Sequence, residues 1–125
     1  MALDIQIKPT SLDTLHLMLH GQLDALTAPK LETFVDERLS ESIGTLILDL
    51  ENLSFISSAG LRVFAKMRKT IKSHNGKCCY VNLSPQVRKV FDIVKATPLS
   101  EVFTSIEELD SYLKAMQNKA TDDES

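Results

Sequence analysis

Residues 45–64 read TLILDLENLSFISSAGLRVF, an apolar run that passes through a short polar loop into two serines and a helix. The segment 45–50 is so uniformly apolar that it predicts a strand covered on both faces, as parallel strands are in α/β proteins. Ser57 or Ser58 then forms the N-cap, because a serine hydroxyl can accept a hydrogen bond from the first N–H groups of a helix.

The helix after the two serines is predicted to span 59–74, and Gly76 is expected to supply the left-handed backbone conformation that ends many helices. Unpaired N–H groups and a partial positive charge lie at the start of any such helix. An anion at Ser58, including a phosphate on its own hydroxyl, would be stabilised there. Apolar residues recur at helical spacing on the side expected to face the core: Val63, Phe64, Met67 and Ile71.

Composition excludes several classes of protein. With 125 residues, 43% of them hydrophobic, the chain is predicted to form a single domain with a substantial core. Its net charge of −3 provides no basic surface for nucleic acid, and no run approaches the ~20 apolar residues of a membrane span. A cytoplasmic protein that binds neither nucleic acid nor membrane is therefore expected. Cys78 and Cys79 would point to opposite faces of a strand, so no disulfide between them is predicted. Neither lies near a second pair of cysteines or a histidine cluster, so no metal site is predicted, and no other cofactor is expected.

Strands and helices alternate along the rest of the chain. Alternating apolar and polar residues predict strands at 3–8 and 15–20, which would pair as a hairpin because the interval between them is short. Further elements are predicted in the order helix from Pro29, strand 77–83, helix after Ser84, short strand 101–104 and helix after Ser105.

This order predicts an α/β fold with a mixed, mainly parallel sheet, an opening hairpin and about four helices. The domain is expected to occupy residues 1–118. Residues 119–125 are polar and acidic, without apolar anchors, and are predicted to form a disordered tail. Ligands of such sheets bind at the carboxyl ends of the strands, which is where Ser57 and Ser58 would lie.

Three blocks of the sequence together resemble the STAS domain, the module found in sulfate transporters and anti-sigma factor antagonists. The resemblance extends over roughly residues 3–116, or nearly all of the predicted domain. The blocks read GQLDALTA at 21–28, LDLENLSFISSAGL at 48–61 and NLSPQVRKVFD at 82–92.

The resemblance implies a partner switch. Stand-alone STAS proteins of this kind bind a serine kinase that is also an anti-sigma factor, which frees the sigma factor. Phosphorylation of a STAS serine ends the binding, and a PP2C-type phosphatase restores it. Aligning the Gly-Leu pair of the motif places the phosphoacceptor at Ser58. The family usually has Asp where this chain has Ser57, which makes Ser57 an alternative acceptor, and often a second hydroxyl where this chain has Ala59.

A surface around the acceptor is expected to bind the partner. A simpler structural role is open for several of its members: Ser58 as an N-cap, Gly60 as a packing glycine and Asp24 as a turn or cap residue. The expected partner-binding residues are Asp24, Ser57, Ser58, Ala59, Gly60 and Arg62.

The sequence contains no pattern typical of an enzyme site. The nucleophile motif G-x-S-x-G would need glycine where Ile56 stands, and neither of the glycine-rich phosphate-binding motifs occurs. We therefore expect a non-enzymatic regulator without a cofactor. The alternative is a STAS subunit with a structural or regulatory role in a larger assembly, such as a stressosome or a lipid-transport complex, without a reversible serine switch.

Arg62 yields the first testable prediction. It lies four residues after Ser58, so helical geometry brings its guanidinium within reach of a phosphate there. Because a nearby cation favours the doubly charged phosphate, Arg62→Ala should raise the second pKa of phospho-Ser58, measured by phosphorus NMR titration. Exposed pairs contribute only ~0.2–1 kcal/mol, so the change should be modest. An unchanged pKa would leave Arg62 a surface residue.

Overall fold

The computed structural model describes residues 2–96 and 105–124. Within these residues the structure has four strands and four helices. The strands are β1 (Leu3–Lys8), β2 (Thr14–Leu23), β3 (Thr45–Ile56) and β4 (Lys77–Val81). The helices are α1 (Ala28–Asp36), α2 (Ser58–Ser73), α3 (Pro85–Ala96) and α4 (Ile106–Glu124). Their order along the chain is β1-β2-α1-β3-α2-β4-α3-α4. The predicted strand at 101–104 lies outside the described residues.

The four strands form one sheet in the order β1-β2-β3-β4. The first two strands are antiparallel, with Leu3 opposite Gly21, which confirms the predicted hairpin. Strand β3 is parallel to both of its neighbours, β2 and β4. The sheet is therefore mixed and mainly parallel, as the order of elements predicted. Because β3 is the central parallel strand, its carboxyl end opens into the middle of one sheet edge.

Strand β3 differs from its prediction in length and in coverage. It continues through the predicted polar loop to Ile56, because its second half pairs with the end of β2 after shifts in register. Its alternate residues Leu46, Leu48 and Leu50 are fully buried, whereas Ile47 and the other residues between them are only half-buried. The prediction of two covered faces was wrong, since the sheet buries only one face completely.

Leucines fill the core on the covered face. Leu15, Leu17 and Leu19 of β2 are buried, in alternation with half-buried His16 and Met18. Full burial of such a side chain contributes about 1.5–3 kcal/mol relative to exposure, so this face supplies much of the driving force for folding. The helices contribute further buried side chains to the same core: Leu31, Val35, Phe64, Met67, Ile71, Val87, Val90 and Leu113.

Helix α2 begins where predicted and ends by a different residue. Its N-cap is Ser57, whose Oγ accepts a hydrogen bond from the N–H of Gly60 at 3.4 Å. At the other end Asn75 adopts the left-handed conformation, with φ of 59°, so the prediction that Gly76 does so was wrong. Gly76 is required for space instead, because an added Cβ would lie 2.7 Å from the carbonyl oxygen of Gly44.

Helix α4 also begins as predicted, with the Oγ of Ser105 accepting a hydrogen bond from the N–H of Glu108 at 3.1 Å. Its backbone is helical to Glu124. The predicted domain end at 118 and the disordered tail at 119–125 stay predictions. No proline or glycine follows Ser105, and nothing in the sequence therefore ends the helix early. No helix within 2–96 or 105–124 combines the length and hydropathy of a membrane-spanning segment.

The close approach at Gly76 yields a stability prediction. Gly76→Ala should lower the free energy of unfolding by about 1–3 kcal/mol, because the added methyl group meets rigid backbone. Urea denaturation measures the change. Gly44→Ala is a matched control, since its Cβ would lie 4.0 Å from the nearest atom, the carbonyl oxygen of Asp13. Equal losses in the two variants would contradict the steric explanation.

Candidate functional site

The candidate site is the junction at which β3 turns into α2. The N–H of Ser57 donates to the carbonyl oxygen of Leu23 at 2.9 Å, which joins the ends of β2 and β3. Ser57 is only 5% exposed, and its hydroxyl is the cap described above. Ser58, the first residue of α2, is half-buried. The two adjacent serines therefore have different environments, one inside the fold and one at its surface.

Ser58 is bound by a carboxylate from the last helix. Its N–H donates to Oδ1 of Asp110 at 2.8 Å, and its Oγ donates to Oδ2 of the same residue at 3.0 Å. The carboxylate thus occupies the N-terminus of α2, where unpaired N–H groups and the helix dipole favour an anion. The helix N-terminus at which the sequence predicts that an anion would be stabilised is thus occupied by a carboxylate of the protein itself.

A second residue of α4 binds the same junction. The side chain of Gln117 is 2% exposed; its Oε1 accepts from the N–H of Ile56 at 2.9 Å, and its Nε2 donates to the Ile56 carbonyl at 2.8 Å. The Nε2 also donates to the Leu113 carbonyl at 3.1 Å. Gln117 lies two helical turns from Asp110, so both side chains project from one face of α4.

Asp110 and Gln117 were not predicted from the sequence to bind this junction. Both contacts cross more than fifty positions of sequence, at separations of 52 and 61 residues. No local spacing rule relates residues so far apart. Gln117 carried one signal. It lies one helical turn after Leu113 and directly after Met116, so it shares the side of α4 that these apolar residues form, and a polar residue there must find a partner when it is buried.

Gly60 and Ala59 face the protein. An added Cβ at Gly60 would lie 2.8 Å from side-chain atoms of both Leu23 and Ile56, so the glycine lets α2 approach the ends of the two strands. Ala59 is partly buried and packs against the core. Gly60 therefore has the packing role that was named above as its simpler alternative.

Asp24 stabilises its own turn. Its Oδ1 accepts hydrogen bonds from the N–H groups of Leu26 at 3.0 Å and Thr27 at 3.1 Å, just before α1 begins. This is the turn role given as its simpler alternative. Asp24 directly follows Leu23, which bonds to Ser57, so its loop lies beside the junction. That loop also carries Leu26, a large apolar side chain that is 82% exposed.

The basic side of α2 is partly neutralised by α1. The Nζ of Lys66 lies 3.1 Å from a Glu32 oxygen and 3.4 Å from an Asp36 oxygen. The hydrogen bond to Glu32 is the main cause that raises the pKa of Lys66 above its ordinary value. Arg62 is exposed and takes part in no ion pair within the described ranges. It therefore remains available to a charge that arrives from outside.

Comparison with known proteins shows which family the sequence of this chain matches. The sequence matches the STAS domain over residues 5–109. It is 28% identical over 103 residues to the anti-sigma-B factor antagonist of Listeria monocytogenes, which covers 82% of this chain and 90% of that protein. It is 35% identical over 75 residues to the putative anti-sigma factor antagonist BtrV of Bordetella bronchiseptica, which covers 60% of this chain and 65% of BtrV.

The fold is similar to that of the Bacillus cell fate determinant SpoIIAA, solved in its phosphorylated form. The two structures superpose with a TM-score of 0.62 at 24% identity, over 73% of this chain and 83% of that one. Likeness at this level of identity is evidence for the fold. Together with the family match, it confirms the STAS-like α/β architecture expected from the three sequence blocks.

Proposed function

Because this chain belongs to the STAS domain family, we propose that it is an anti-sigma factor antagonist controlled by phosphorylation of Ser58. The unmodified protein binds a serine kinase that is also an anti-sigma factor. Phosphorylation by that kinase ends the binding, and a PP2C-type phosphatase restores it. The observation that carries the proposal is a surface serine hydroxyl at the N-terminus of α2, followed by the family's Gly-Leu pair.

Ser58 is favoured over Ser57 by the surroundings of the two hydroxyls. The Oγ of Ser57 accepts a hydrogen bond from Gly60, and the residue is 5% exposed. A phosphate on Ser57 would have to leave the interior and would remove the cap of α2. The Oγ of Ser58 lies in a partly exposed residue and is a donor, so its modification leaves the cap intact. The acceptor and the cap are therefore separate residues.

A phosphate at Ser58 changes the partner surface strongly enough to act as a switch. It adds about −1.5 to −2 charge at neutral pH. A partner interface formed around a neutral hydroxyl would then have to bury an unpaired anion, which commonly costs several kcal/mol. Since each ~1.4 kcal/mol is a factor of ten in affinity, binding would weaken by orders of magnitude.

The junction also offers an apolar contact for a protein partner. Leu26 is 82% exposed in the loop that follows β2, and that strand ends at Leu23, which is bonded to Ser57. Arg62 is exposed one helical turn after Ser58. An apolar side chain, a hydroxyl and a cation on one surface suit a protein interface, in which a few central side chains supply most of the affinity.

The labelling experiment uses a candidate serine kinase of the anti-sigma factor class. Incubation with that kinase and ATP, followed by peptide mass spectrometry, should locate one phosphate on Ser58. Ser58→Ala should abolish labelling and retain kinase binding. The chain alone with ATP should neither label itself nor consume ATP, because we propose that it is not an enzyme.

Ser57→Ala is the matched control. It should be labelled at Ser58 although it loses the helix cap, a change that costs about 1 kcal/mol of stability. Complete labelling of the Ser58→Ala protein at Ser57 would contradict the assignment. Self-labelling of the chain without the kinase would contradict the non-enzymatic role.

A further inference from the structure

The contact between Asp110 and Ser58 points to a regulatory role for the last helix. We propose that α4 is a latch on the acceptor: Asp110 holds the unmodified hydroxyl, and a phosphate on Ser58 expels Asp110 and loosens the first turns of α4. This inference rests on the proposed function, because it assigns a structural consequence to phosphorylation of that serine.

A phosphate on Ser58 and the Asp110 carboxylate would occupy the same position at the N-terminus of α2. Asp110 accepts one hydrogen bond from the Ser58 N–H at 2.8 Å and one from its Oγ at 3.0 Å. Phosphoryl transfer from ATP forms the bond from Oγ to phosphorus and breaks the bond from phosphorus to the bridging oxygen of ADP. The hydroxyl proton leaves to a base of the kinase. Oγ can then no longer donate, so one of the two bonds is lost outright.

Electrostatic repulsion would also separate the phosphate from the Asp110 carboxylate. The new phosphate is attached to the atom that lies 3.0 Å from the Asp110 carboxylate, so two anions would share the site. The phosphate oxygens can accept from the Ser58 N–H themselves, at the helix N-terminus that favours them. Because the phosphate is covalently attached and carries more charge, it keeps the site and the carboxylate leaves it.

The burial of its residues determines which part of α4 can move. Residues before Asp110 are largely at the surface: Ile106 is 53% exposed, and Glu107 is exposed. Leu109 is partly buried against the core. Beyond Asp110, Leu113 is fully buried, Met116 is buried and Gln117 is bonded to the backbone of Ile56. Loss of the Asp110 contact should therefore release the first turns and leave the rest docked.

Hydrogen–deuterium exchange tests the latch with the chain alone. Phosphoserine is introduced at position 58 during translation, so that neither the kinase nor any partner is needed. We expect exchange in 106–112 to rise by about fivefold or more relative to the unmodified protein. Amides after Met116 should exchange at an unchanged rate, because their helical hydrogen bonds go to carbonyls from Leu113 onwards. Asp110→Ala, which removes both acceptor oxygens, should produce the same rise without any phosphate, and phosphoserine added to this variant should increase exchange little further.

Glu107→Gln is the matched control, because it removes one negative charge from the same end of α4 without touching Ser58. It should exchange like the unmodified protein. Equal exchange in 106–112 of the unmodified and phosphoserine proteins would overturn the latch, as would an equal rise in the Glu107→Gln control. If Asp110→Ala fails to fold, the phosphoserine comparison still decides. Failure of the proposed switch appears separately, as absence of kinase labelling at Ser58.

Discussion

The charge-assisted hydrogen bonds between Asp110 and the start of α2 hold together the junction at which β3 turns into α2. They join the central strand, the helix that follows it and the last helix of the chain. Hydrogen bonds to charged groups contribute about 1.5–3 kcal/mol each when well formed. Gln117 adds a neutral contact to the backbone of Ile56 from the same face of α4. Without these side chains, the junction and the last helix would be linked mainly by apolar packing.

Under the proposed switch, Ser57 caps α2 and Ser58 receives the phosphoryl group, two tasks that one residue could not combine. A hydroxyl that caps a helix accepts a hydrogen bond and is best buried, as Ser57 is. A hydroxyl that receives a phosphoryl group must be reachable and must lose its proton, as Ser58 can. The fold uses buried or local caps elsewhere too, at Ser84 before α3 and at Ser105 before α4. Ser58 is thus the serine at this junction whose modification leaves the cap of α2 intact.

Local rules predicted the features that depend on neighbouring residues. The hairpin, the parallel order of the strands and the helix starts at Ser57, Ser84 and Ser105 follow from alternation, element order and capping chemistry. The left-handed residue at the end of α2 was predicted wrongly, because both Asn75 and Gly76 tolerate that conformation and only packing decides between them.

Features set by distant contacts could not be predicted in this way. The length of β3 depends on pairing with the end of β2, and its half-exposed face depends on where the helices pack. Capping chemistry identified Ser57 and Ser58 as the start of α2, whereas the choice of Ser58 as the phosphoacceptor rests on the resemblance and stays a prediction. Asp110 was invisible, because an acidic residue near the start of a helix is ordinarily explained by the helix dipole.

A double-mutant cycle on the free energy of unfolding tests most directly whether α4 and the acceptor are coupled. Urea denaturation of the wild type, Ser58→Ala, Asp110→Ala and the double variant gives the interaction energy of the two side chains. The account predicts a favourable coupling of about 1 kcal/mol or more, since the bond from Oγ to the carboxylate is charge-assisted. Additivity of the single changes within about 0.3 kcal/mol would contradict it.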